Sequence, residues 1–364
     1  MNILNISPFL QVGFTFITSF LICFLSIPSV IKIAELKNLY DEPCDRKRHN
    51  KRVPTFGGIA IFAGFIISTT FWAKQGQIKE LQYIITSIII LFFIGIKDDV
   101  VNLIAKKKLL GQVIAAAIVV LLADIRLSSM YGIFNVYDIP YWFSCCFSIF
   151  TIIAITNSFN LIDGVDTLAG SIGTLSCSLL AFWFYQVGHM QYSIVAVSMT
   201  GALIAFLKYN KTPASIFMGD TGSLILGLVI SILTIKFIEF NRAYIGPIEY
   251  QIKSVPAVAI GILIIPIFDT ARVIILRILE GRSPLSSDRN HIHHILTDLG
   301  LSHIRTTSIL VILNLFIVMI SLALQSIMGE LLLFINFSIL FLFTAFITRK
   351  NRVQIREQKP ESII

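Results

Sequence analysis

The chain has 364 residues, of which 55% are hydrophobic and only 14% charged, with a formal net charge of +8. An average soluble domain carries roughly 25% charged residues, so this composition excludes a protein whose main solvent is water. The positive charge does not call for nucleic acid, because a basic rim facing anionic lipid headgroups accounts for it and no basic-aromatic surface pattern is present.

In windows of about 20 residues, apolar runs fall near Phe9 to Ile31, Phe56 to Ala73, Tyr83 to Ile96, Leu109 to Ala123 and Trp142 to Thr156. Six more follow, near Leu168 to Val187, Tyr192 to Leu207, Gly222 to Ile235, Val255 to Phe268, Thr307 to Met328 and Leu331 to Ile347. The reading is an all-α, polytopic transmembrane bundle of about eleven helices. Its fifth run is short and its ninth contains Pro256 and Pro266. Residues 1–348 make one membrane domain, and residues 349–364 a basic tail expected to fray. The first run has no basic leader and no small-residue cleavage site, so it reads as a retained helix. Four of the five cysteines lie in apolar runs and Cys44 lies in a loop, which implies no disulfide framework.

Lys and Arg in short loops stay on the cytoplasmic side. With the N-terminus outside and the C-terminus cytoplasmic, 23 of the 29 Lys and Arg residues fall inside. Five polar clusters fall in those same cytoplasmic loops and none in the others.

The first cluster holds Asp41-Glu42-Pro43, Arg46-Lys47-Arg48-His49 and Pro54 to Gly58. It serves either as a positive-inside anchor or as a cationic loop for a phosphate or diphosphate beside a Gly-Gly turn. The second is Lys97-Asp98-Asp99, where two adjacent acids repel unless a cation lies between them, a place suited to Mg2+. Third, Asn157, Asn160, Asp163 and Asp166 recur at every third position. On a regular helix each such step drifts by roughly 60 degrees, so Gly164 is expected to break the helix and turn the row inward. That amide and carboxylate row suits a ribose, a base edge and a metal. The fourth, Phe217 to Ser223, offers free amides and hydroxyls to an anion at a helix start. There Asp220 is either an N-cap or a metal ligand shared with the phosphate. The fifth runs from Arg282 to Leu296 and includes Arg289, His291, His293 and His294. Zinc is one reading of three histidines in four positions, and phosphate recognition with Arg282 and Arg289 is the other.

Taken in order from Asp41 to about Leu296, these motifs resemble the polyprenyl-phosphate N-acetylhexosamine-1-phosphate transferases. They are most similar to the bacterial branch acting on undecaprenyl phosphate. The resemblance implies a helical bundle of ten or eleven spans in the bacterial cytoplasmic membrane, often a homodimer, with its cleft facing the cytoplasm. It implies a UDP-sugar donor, undecaprenyl phosphate as acceptor, UMP as product and Mg2+, or Mn2+, as cofactor. By the same resemblance Asp220 is a metal ligand with Asp98 or Asp99 nearby, and Asp98 and Asp99 are the catalytic pair. Arg46, Lys47, His49, Asn157, Asn160, Asp163, Asp166, Arg289, His291, His293 and His294 are then substrate-binding, and Phe217 stacks on uracil. The histidine segment resembles the form that goes with N-acetylglucosamine donors. A MurNAc-pentapeptide or 6-deoxy-sugar donor is the alternative within the family. One departure stands out: Thr167 occupies a position where the family usually has Gly. An ion-coupled transporter, the reading from another class, predicts acids at the bilayer midplane, and here they gather at one face.

Overall fold

A computed structural model of the chain describes residues 6–37, 39, 53–73, 79–283 and 290–358. All eleven apolar runs fall on helix, as expected of a backbone that must satisfy its own N–H and C=O groups in hydrocarbon. Helices α1 (Pro8–Leu36), α2 (Gly57–Trp72), α3 (Leu81–Val101) and α4 (Ala105–Ala117) come first, α4 being prolonged by a π turn over Ile118–Leu122. Next are α5 (Tyr141–Ile162), α6 (Leu168–Gln186), α7 (Met190–Asn210) and α8 (Gly219–Arg242). The chain ends with α9 (Val255–Ile262), α10 (Ile264–Leu279), the short α11 (Ile292–Asp298), α12 (His303–Ala323) and α13 (Gly329–Gln358). Among the described residues there is no strand, only one isolated antiparallel bridge between Ser129 and Asp138.

Seven helices, α1, α5 to α8, α12 and α13, are each long and apolar enough to cross a bilayer, and the bent pair α9–α10 makes an eighth. The three remaining runs fall on α2, α3 and α4. Helix α13 continues through Arg349, Lys350 and Arg352 to Gln358, so much of the basic tail is helical where fraying was expected.

Helix α8 is the axis of the bundle. Of its most apolar window 89% is buried, against 22% for α1 and 28% for α13, so α8 is enclosed on all sides while those two face outward. It packs against α5, α3 and α2, and α7 packs against α1, α6 and α2. Small and hydroxyl side chains make these approaches close: Ser19 donates to the Ser198 carbonyl at 2.5 Å and Ser68 to the Thr15 carbonyl at 2.7 Å.

The Pro-containing ninth run is where the helix breaks, with an 82° bend between α9 and α10. Pro266 has no N–H to offer the carbonyl of Ile262, four residues earlier. That carbonyl accepts instead from Asn314 Nδ2 at 3.1 Å and from Ser176 Oγ at 3.4 Å. The bend turns α10 toward α11 and the end of the bundle where the polar clusters meet.

Candidate active site

The site begins with the start of α8. The stretch before it is bonded to the segment entering α2: Phe217 N donates to the Pro54 carbonyl at 2.8 Å, and Gly57 N and Gly58 N donate to the Phe217 and Met218 carbonyls at 2.9 Å each. Gly219 has φ +70, and a Cβ there would lie 2.0 Å from the Thr55 carbonyl oxygen, so only glycine fits. On the other side Gly95 of α3 lets the two backbones touch, since a Cβ would stand 2.3 Å from Thr221 Cα. This closeness brings Asp99, one turn further along α3, to the free amides of α8. Its Oδ1 accepts from Asp220 N at 2.7 Å, and its Oδ2 accepts from Thr221 N at 3.1 Å and Thr221 Oγ1 at 2.5 Å. Asp99 therefore caps α8 from a neighbouring helix, at the positive end of its dipole. Asp220 is not the N-cap; it lies in the first turn of α8 and its side chain points elsewhere.

That direction is toward Lys108, near the start of α4. Lys108 Nζ lies 2.8 Å from Asp220 Oδ2 and 3.1 Å from Asp98 Oδ2, and donates to Asn160 Oδ1 at 3.2 Å. Asn160 Nδ2 donates to Asp220 Oδ1 and, at 2.9 Å, to Ser223 Oγ. Asp98 is 6% exposed, and its Oδ1 accepts from Leu103 N at 2.6 Å, tying the end of α3 to the turn that leads into α4 and Lys108. One turn back on α5, Asn157 and Gln112 of α4 exchange amide bonds at 2.8 and 3.2 Å.

The third motif ends α5 at Ile162, and the chain turns through residues 163 to 167 before α6. Burial, followed by the Asp220, Asp99 and Asp166 carboxylates, holds the Asp163 carboxyl well above the usual range. Asp166 is 3% exposed, and its Oδ2 lies 3.2 Å from His303 Nδ1 at the start of α12. Thr167 has φ +67, a left-handed conformation that explains why glycine suits this position. Here its N–H donates to Asn210 Oδ1 at 2.7 Å and its hydroxyl to the Asp166 carbonyl at 2.6 Å, contacts that hold the β-branched residue in place.

The histidine segment packs over this turn. His293 is 1% exposed, and a Cβ on Gly164 would lie 2.7 Å from its Nε2. Burial and the neighbouring His294 lower the His293 pKa to about 3, so the ring is neutral. His291 Nδ1 lies 2.9 Å from Asp269 Oδ2 on α10.

Of the residues singled out in the sequence, Asp98, Asp99, Asn157, Asn160, Asp163, Asp166, Phe217, Asp220, His291, His293 and His294 thus gather at one end of the bundle. Arg46, Lys47, His49 and Arg289 lie outside the described residues. Lys108, Gln112, Asn210, Asp269 and His303 were not singled out. Lys108 had counted only as a loop charge, although it sits at the centre of the site.

Among the described residues, no three His, Cys, Asp or Glu side chains group as a metal cage. Asp98 and Asp220 nevertheless point hard oxygens at a single cationic group, the Lys108 ammonium. That donor pair fits Mg2+, which is held by one or two carboxylates together with substrate phosphates.

Residues 81–238 match the model of glycosyl transferase family 4. A Bacillus subtilis protein described as a probable undecaprenyl-phosphate N-acetylglucosaminyl 1-phosphate transferase is 30% identical over 361 residues, covering 96% of this chain and 95% of its own length. An undecaprenyl-phosphate alpha-N-acetylglucosaminyl 1-phosphate transferase of Escherichia coli is 30% identical over 306 residues, 82% of this chain and 78% of its own. One of the same description from Yersinia pestis is 28% identical over 340 residues, covering 92% and 87%. Motifs, helical fold and full-length similarity agree: the chain belongs to the polyprenyl-phosphate N-acetylhexosamine-1-phosphate transferases of glycosyl transferase family 4.

Proposed function

We propose that the protein transfers N-acetylglucosamine-1-phosphate from a UDP-sugar to undecaprenyl phosphate, leaving undecaprenyl-diphosphate-sugar and UMP. The observation that carries this reading is the Asp98–Lys108–Asp220–Asn160 centre beside the start of α8, at one end of a lipid-facing bundle. A phosphoryl group needs cationic and amide donors, and a polyprenyl chain needs lipid; this end of the molecule offers both. The bias of Lys and Arg toward the same end supports a cytoplasmic site in the bacterial inner membrane, with UDP-sugar arriving from the cytoplasm.

Asp98 and Asp220 are the residues that would hold Mg2+, which when bound supplies screening of the donor diphosphate. Lys108 donates to phosphate oxygens that replace its present carboxylate partners. Asn160 keeps Asp220 aimed. Asp99 has both oxygens committed to α8, so its part is to hold the helix start in place, and Asp98 is the carboxylate left to orient the lipid phosphate or take its last proton. The lipid phosphate then attacks the sugar-linked phosphorus in line, and the bond to UMP breaks. No activated Ser or Cys lies among the motifs, which favours direct transfer over a covalent enzyme intermediate.

The test is purified protein with Mg2+, undecaprenyl phosphate and a panel of UDP-sugars, scored by UMP release. UDP-N-acetylglucosamine is expected to give UMP and a lipid-linked sugar. No UMP from any UDP-N-acetylhexosamine would sink the assignment. Asp98→Asn that lost turnover yet trapped a labelled phospho-sugar on the protein would replace direct attack with a covalent route.

A further inference from the structure

The histidine segment has little scaffold of its own, since α11 is only seven residues long. What grips it is Asp269, 1% exposed on α10 beyond the bend. Its Oδ2 lies 2.9 Å from His291 Nδ1, while its Oδ1 accepts from Ile292 N at 3.0 Å and lies 2.9 Å from Arg272 Nη2. Arg272 in turn donates to the Asn290 carbonyl. One acid and one guanidinium thus fix three consecutive residues, Asn290, His291 and Ile292.

The pairing also decides a proton. A carboxylate whose oxygens are surrounded by an amide N–H and a guanidinium is ionised and only accepts, so the proton between it and the imidazole belongs to His291 Nδ1. In the neutral ring Nε2 is then a bare acceptor. We propose that Asp269 is the positioning residue of this segment, holding His291 as the Nδ1–H tautomer so that Nε2 accepts from a hydroxyl or amide N–H of the sugar nucleotide. The proposal rests on the transferase reading and sharpens it. A bare Nε2 cannot donate to an ionised phosphate, so His291 reads the sugar, ribose or base, and the phosphates are left to Lys108.

The chain has six histidines, few enough for ring nitrogens to be resolved in 15N-histidine-labelled protein in lipid nanodiscs, with His291→Gln identifying the His291 signals. Spectra are recorded across a pH series, and the tautomer is read where the ring is neutral. The expected wild-type result is a protonated Nδ1 and a bare Nε2. Asp269→Asn keeps the size but has one acceptor oxygen; with that oxygen held by Ile292 N and Arg272, its NH2 faces Nδ1 and the tautomer switches to Nε2–H. The kcat/KM for the UDP-sugar is then expected to fall about 10–100-fold, with KM for the lipid acceptor unchanged. Arg272→Gln loosens the Asn290 carbonyl and removes one partner of Asp269 Oδ1, but leaves Oδ2 on His291 Nδ1 and the Ile292 amide on Oδ1, and is expected to raise the UDP-sugar KM while keeping the tautomer. A wild-type His291 carrying its proton on Nε2 would overturn the proposal, and it needs no variant to fold. So would a tautomer switch in Asp269→Asn with unchanged donor kinetics. Absence of UMP release from wild-type protein is a separate result that removes the transferase reading and leaves the spectra to decide the tautomer.

Discussion

Replacing Gly95 by Ala tests whether backbone contact between α3 and α8 builds the site. The new methyl would stand 2.3 Å from Thr221 Cα and 2.7 Å from Thr221 N, where ordinary contact begins at 3.4 Å. Neither neighbour is the end of a flexible side chain, so the helices must part by on the order of 1 Å, at an overpacking cost of about 1–3 kcal/mol. The displacement falls on the residues that Asp99 holds, at 2.7 Å to Asp220 N and 3.1 Å to Thr221 N. Stretched by about 1 Å, both bonds pass out of hydrogen-bonding range, and Asp220 swings relative to Lys108. A misplacement of this size costs turnover about 100-fold. The assay pairs UMP release with thermal unfolding in nanodiscs. Gly13→Ala is the control, because a Cβ there meets nothing within 4 Å, and it should match wild type in both measurements. A Gly95→Ala protein with wild-type kcat/KM would refute the argument that this contact sets the geometry.

Lys108→Met leaves Asp98 and Asp220 facing each other without their counter-charge, and is expected to cost about 3 kcal/mol in chelator. Added Mg2+ should restore the melting temperature but not UMP release; an unchanged melt in chelator would contradict the central role of this lysine. Asn157→Leu orphans the Gln112 amide and is expected to cost about 1–3 kcal/mol. The double variant with Gln112→Leu should recover most of that loss, and additive losses in thermal melts would rule out the reciprocal pair. The His293 pKa of about 3 in the fold, against 6.5 for the free side chain, makes stability pH-dependent. Below 6.5 the unfolded chain takes up a proton that the folded one refuses, so stability falls as pH drops from 6.5 toward 3. His293→Gln should reduce that slope in melts across the window, and an unaltered slope would show that the ring is not buried neutral.

The helices were legible because lipid leaves the backbone few choices, and each apolar run duly falls on helix. The break at Gly164 was legible too, as was the oddity of Thr167, whose left-handed φ gives the physical reason why glycine suits that position. Asp269 was missed although a signal was present: a lone acid in an apolar stretch with Arg272 three residues on is an intramembrane pair by spacing alone. Lys108 could not be told from Lys106 and Lys107 in sequence. Only the packing of α4 against α5 decides which of three adjacent lysines turns inward. The role of Asp99 was hidden for a related reason, since its partners are backbone amides of a helix more than a hundred residues away.

The charge balance at the centre bears on how the proposed transfer between two anionic substrates could be served by a site built from acids. Asp98, Asp99 and Asp220 bring three carboxylates together, and the positive groups that face them are Lys108 and the start of α8. The helix start counts as roughly half a positive charge, so with all three acids ionised the centre is left about one and a half charges negative. If the donor is the proposed UDP-sugar, such a centre would repel its bare diphosphate and favour a cation–diphosphate complex, tying donor affinity to the cation. Asp99 spends both oxygens on the amides of α8, which leaves Asp98 and Asp220 as the pair that would meet the proposed cation. Lys108 holds that pair together in the structure, and a cation taking its place there would free it to turn to phosphate.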